Sequence, residues 1–80
     1  MWKDEGARSL YMAARDRSQS STSRLEATKS LGALACNGSE DAAWALKELY
    51  RHQETTYEVK RAAETELVRA EEQKKHRGRR

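Results

Sequence analysis

The reading of this chain turns on Asn37-Gly38-Ser39-Glu40-Asp41. Glycine takes the left-handed conformation that closes a helix, and a serine followed by two acids is a hydroxyl cap with negative charge in the first helical turn. One helix therefore ends near Cys36 and another begins near Glu40. Beyond this point Ala42, Ala45, Leu46, Leu49 and Tyr50 recur at i, i+3, i+4, i+7 and i+8, which gives a helix over about 40–52 one apolar face. Thr55 with Glu58 three residues on fits a capping box for the next helix, whose buried stripe would be Val59, Ala62, Ala63, Leu67 and Ala70.

The first half carries the same pattern. Ala7, Leu10, Ala13 and Ala14 mark a helix near 4–16, and Ser23 with Glu26 offers a capping box before Ala27, Leu31 and Leu34 in a helix near 23–36. Between them Arg17-Ser18-Gln19-Ser20-Ser21-Thr22 has no apolar residue and reads as a loop. Shifted by 36 positions the chain matches itself: Ala7 falls on Ala43, Leu10 on Leu46, Arg15 on Arg51, Ala27 on Ala63 and Leu31 on Leu67. A self-match of that period is the mark of stacked helical hairpins, each too short to bury its apolar face alone. The expected fold is all-α, with hairpin 1 at about 4–36 and hairpin 2 at about 40–72 in a single domain, 1–73. An antiparallel four-helix bundle is the alternative.

Val59-Lys60-Arg61-Ala62-Ala63-Glu64-Thr65-Glu66-Leu67 resembles the inner helix of a HEAT-like repeat, where an aliphatic and a basic residue precede paired alanines and a leucine. Arg24-Leu25-Glu26-Ala27-Thr28-Lys29-Ser30-Leu31-Gly32-Ala33-Leu34 resembles the same helix one repeat earlier, and the likeness spans about residues 5–71. Ser23 departs from it, standing where Val59 would call for an aliphatic side chain. The resemblance implies a concave face formed by the second helix of each pair, offering Arg24, Lys29, Lys60, Arg61 and Glu64 to a partner.

Composition limits the rest. Seven Leu, two Val and no Ile or Phe stand against twelve Ala, so any core is thin and association is a natural remedy, either as a homodimer or on a partner. With no Pro and only four Gly, little interrupts helix. No apolar run approaches the roughly 20 residues of a membrane span, and a lone cysteine, Cys36, agrees with a reducing compartment, so a cytoplasmic location is expected. Cys36 falls at a helix C-terminus, where the dipole does not favour its thiolate, and reads as filler.

Residues 1–73 carry 11 Lys+Arg and 13 Asp+Glu, while Lys74-Lys75-His76-Arg77-Gly78-Arg79-Arg80 carries five cations and no acid. Residues 74–80 are thus expected to form a disordered basic tail. Its Lys74, Lys75, Arg77, Arg79 and Arg80 would neutralise phosphates in a salt-dependent way, though no aromatic residue is interleaved for base stacking.

No catalytic constellation assembles. His52 and His76 are 24 residues apart, no His/Cys cluster has zinc-ligand spacing, phosphate-cradling glycine loops are absent, and the adjacent acid pairs diverge by about 100° on a helix. Neither enzymatic activity nor a cofactor is expected. Trp44 falls opposite the apolar face of its helix, and Tyr11 and Met12 also miss theirs, which marks these three as partner-binding anchors. For Trp44 a second reading stays open, in which Trp2 or the first helix folds over it as an internal lid. The function expected is a non-enzymatic protein-interaction module, a small adaptor or inhibitor. A nucleic-acid-binding accessory protein is the alternative.

Overall fold

Gly38 adopts φ 99°, and the chain closes the preceding helix around it as the sequence predicts. The Ser39 N–H donates to the Leu34 carbonyl and the Gly38 N–H to that of Ala35, both at 3.0 Å, satisfying two carbonyls that a helix end leaves orphaned. The computed structural model describes residues 2–52 and 55–78, and places them in four helices: α1 Glu5–Arg15, α2 Ser21–Cys36, α3 Glu40–Arg51 and α4 Tyr57–Gly78. The fold is all-α, without a strand among the described residues.

Three boundaries move from their sequence-based positions. α2 starts at Ser21 because Ser20 Oγ accepts the Ser23 N–H at 3.1 Å, so Ser20 and not Ser23 caps it. At α4 the Val59 N–H donates to Thr56 Oγ1 at 3.4 Å, while Thr55 is buried, so the cap lies one residue later than expected. Finally α4 runs on through the segment expected to be disordered, to Gly78. Glu71 and Lys75 stand at the i, i+4 spacing that supports a helix, and this stretch contains no helix breaker before Gly78. Arg79 and Arg80 lie outside the described residues.

Helices α2 and α4 make the most extensive contact; α1 packs on α2 and α3, and α3 on α2 and α4. The contacts close a ring in the order α1, α2, α4, α3; across it α2 also touches α3, while described residues of α1 and α4 have little or no contact. Leu31, Leu46 and Leu49 are fully buried with Val59, and Leu67 packs against them half-buried, as predicted. Burial repeats at an offset of 35 rather than 36: Ala7, Tyr11 and Ala14 correspond to Ala42, Leu46 and Leu49, and Arg24, Thr28 and Leu31 to Val59, Ala63 and Glu66. At that offset Val59 aligns with Arg24 rather than Ser23.

The N-termini of α1 and α3 cap each other. Asp4 Oδ1 accepts the Ala7 N–H of its own helix at 3.2 Å, while Asp4 Oδ2 accepts the hydroxyl of Ser39, the α3 cap, also at 3.2 Å. In return Asp41 Oδ2 accepts the N–H groups of Lys3 and Asp4 at 2.6 and 2.7 Å. At the α2–α4 contact Gly32 leaves a notch that the Glu66 side chain fills; a Cβ there would collide with the Glu66 carboxylate. Glu66 is 7% exposed and pairs with Arg69 at 3.6 Å.

Candidate functional site

Trp44 projects from the outer side of α3, yet it is not isolated. Its ring meets Trp2 edge-on at a centroid distance of 5.3 Å and Tyr11 at 5.6 Å, and Trp2 and Tyr11 are themselves 5.7 Å apart. The two edge-to-face contacts of Trp44 add attraction beyond the area they bury. Trp2 therefore covers one side of Trp44, in the geometry of the internal lid, while the indole keeps 43% of its surface exposed.

Tyr11 is corrected by the same arrangement. It is buried, because the inward stripe of α1 runs through Ala7, Tyr11 and Ala14, with Leu10 and Ala13 only half-buried. α3 and Trp2 cover this side of α1, a neighbourhood that the spacing within α1 does not encode. Met12 is 59% exposed, as expected.

The exposed side of Trp44 borders a groove of about 390 Å³. α3 contributes Glu40, Ala43, Trp44 and Lys47, and α4 contributes Leu67, Ala70, Glu71 and Lys74. Both sets fall at i, i+3, i+4 and i+7, so two successive turns of two helices face one trough roughly 10 Å long. Ala43, Trp44, Leu67 and Ala70 supply apolar surface, Lys47, Lys74, Glu40 and Glu71 charged rims, and Ala35 and Cys36 of α2 an end wall. Leu67 and Ala70 were legible only as core positions in the sequence. Their role as groove wall comes from the placement of α3 beside α4, which the spacing within α4 does not encode.

The five residues expected on a shared inner face are not gathered there. Arg24 is 8% exposed, and its Nε donates to the Ala14 carbonyl at 2.9 Å, satisfying a group orphaned at the end of α1. It is a buried structural residue, not a surface cation. Lys29 is exposed beside a hollow between α2 and α4 that Ala62, Thr65, Glu66 and Arg69 complete, so Arg69 is the α4 cation facing it. Lys60 is half-buried, Arg61 is exposed with its guanidinium 5.8 Å from the centroid of the Tyr57 ring, and Glu64 is exposed.

Of the basic C-terminal residues, Lys74 lines the groove and Lys75 is exposed on the last turns of α4. Arg77 belongs to the same helix. Among the described residues no group of three or more His, Cys, Asp or Glu is placed to hold a metal ion, and no helix is long and apolar enough to cross a membrane. Comparison with protein-family models, with curated proteins and with solved structures finds no match to this chain.

Proposed function

We propose that this protein is a non-enzymatic interaction module of the cytoplasm, which binds an amphipathic helix of a protein partner in the groove between α3 and α4. The observation that carries this reading is the matched two-turn register of the groove walls, with the half-exposed Trp44 beside apolar Ala43, Leu67 and Ala70. An amphipathic helix with apolar residues at i, i+3 and i+4 fits such a trough, and its flanking charges would meet Lys47 and Lys74 on the rims. The HEAT-like arrangement is part of the same proposal, supported by the close packing of α2 on α4 and the 35-residue recurrence of burial.

The test compares the wild-type chain with Ala70→Glu, which puts a charge into the groove without touching the fully buried core. A partner retained by the wild type and lost by the variant, whose binding a helical peptide from that partner reproduces, supports the reading, provided helix content is unchanged by circular dichroism. A partner held equally by both chains overturns it. Sedimentation and thermal midpoints across a hundredfold concentration range decide whether a second copy is the occupant: a homodimer abolished by Ala70→Glu replaces the partner helix with a copy of this chain.

A second reading rests on the C-terminal turns of α4, which display exposed Lys74 and Lys75. A nucleic acid would be bound there through its phosphates. Retention on DNA that falls steeply with salt and disappears in Lys74→Gln/Lys75→Gln favours this reading; indifference to both changes removes it.

A further inference from the structure

The two hairpins hold each other without help from the link between them. Among the largest fully buried side chains, Thr28 and Leu31 come from α2 and Leu46, Leu49 and Val59 from α3 and α4, so neither hairpin has a core of its own. Across their interface Asp4 accepts the Ser39 hydroxyl and Asp41 accepts the Lys3 and Asp4 amides. Trp44 meets Trp2 and Tyr11, and Glu66 fills the notch at Gly32. Every one of these contacts would be the same if α3 and α4 belonged to another molecule.

The link itself is short and conformationally demanding. Asn37, Gly38 and Ser39 alone separate α2 from α3, whereas five residues separate the helices within each hairpin. Its turn depends on φ 99° at Gly38, a region open to glycine and costly for other residues. On either side Ala33-Leu34-Ala35 and Ala42-Ala43 favour helix, and no proline fixes the bend. A short, sharply turned link between two mutually dependent halves is the arrangement in which exchange between copies competes with closure on one chain. Since closure and exchange make the same inter-hairpin contacts, the hinge and the protein concentration decide between them.

We propose that the inter-hairpin surface takes a second copy of this chain as its partner: two molecules exchange their second hairpins and form a closed two-fold dimer, with the hinge at Asn37 and Gly38. Each first hairpin then packs on the second hairpin of the other copy, so the inter-hairpin surfaces are all used and assembly stops at two. The exchange also changes the groove. Its walls on α3 and α4 stay within one chain, but the end wall of Ala35 and Cys36 comes from the other, and one particle carries two grooves. A partner presenting two helices would be held more tightly by such a pair than by either groove alone. The exchange makes no use of the apolar groove surface, so it stands whether or not the groove binds a helix.

The test mixes two full-length variants, Gly32→Ala and Glu66→Ala, and refolds them together at high concentration. In a mixed exchanged dimer one unit combines both substitutions, so that nothing competes for the notch, and the other combines Gly32 with Glu66 as in the wild type. Mixed dimers should therefore exceed the share that random pairing gives, as counted by native mass spectrometry. A random share means that each chain keeps its own hairpins, and overturns the proposal. The wild type refolded at high concentration should yield a dimer that dissociates slowly on dilution, because the hairpins must part first, and that persists in Ala70→Glu. A dimer lost in Ala70→Glu is a groove contact instead, and either that result or the absence of any dimer overturns the exchange. Gly38→Ala removes glycine's advantage at two hinges per dimer, so the dimer dissociation constant should fall about thirtyfold or more. A folded Gly38→Ala no more dimeric than the wild type also overturns it; should that variant not fold, the mixing experiment decides.

Discussion

Asp16 shows how a single turn sets a residue's chemistry. The Ser18 hydroxyl, with the Ser18 N–H behind it, stabilises the ionised carboxyl and holds its pKa below the ordinary 3.8. A carboxyl depressed on folding stabilises the fold above the unfolded pKa, and that contribution disappears as pH falls through the folded one. Ser18→Ala should therefore move the Asp16 titration up toward 3.8, read from the side-chain carboxyl carbon by NMR, and an unmoved titration would rule out the hydroxyl as the cause. Trp44 is the second residue-scale case. Trp44→Ala should weaken partner binding by about 2 kcal/mol or more if the groove is the site. Its contact with Trp2 and Tyr11 predicts that the same change also lowers the thermal midpoint of the isolated chain, since folding buries over half of the indole. A mutant altered in neither property would leave Trp44 without a role.

Among the elements, the α2–α4 contact depends on a complementary pair, Gly32 and Glu66. Alanine in place of glycine inside a helix ordinarily stabilises by about 1 kcal/mol, but here the added methyl would evict the Glu66 carboxylate from its place. Gly32→Ala is accordingly expected to destabilise the wild type and to stabilise a Glu66→Ala background, a reversal of sign that denaturant titrations of the four chains will measure. Additive effects would mean that the two side chains do not compete for one space. This pairing could not be read from sequence, where Glu66 is one charge among several on a polar helix, because the space it fills belongs to a residue 34 positions away. By contrast Leu31, Leu46, Leu49 and Gly38 were legible, since spacing and left-handed geometry are local properties. Tyr11 and Arg24 fell between these cases: each has an apolar body and a polar end, so only the neighbouring helix decides whether it is buried. The groove was not legible at all, as it depends on how α3 and α4 lie against each other.

For the molecule as a whole, the thin core makes each large side chain count. Leu46→Ala should cost about 2–5 kcal/mol, a large share of the stability of a domain this small, and is expected to leave the chain largely unfolded at 37 °C by circular dichroism. The 36-residue self-match differs by one residue from the 35-residue recurrence of burial, because it followed identical letters while burial follows the helix caps. The mutual capping of α1 and α3 has a consequence for how the molecule opens. Amides ahead of a helix with no backbone partner normally exchange their hydrogens with solvent almost as fast as in a free peptide, but those of Lys3 and Asp4 are held by an acid in the second half of the chain. Their exchange should therefore report the detachment of one half from the other, slow in the wild type and approaching the free-peptide rate in Asp41→Ala. These two amides thus act as a gauge of whether the two hairpins come apart or melt together.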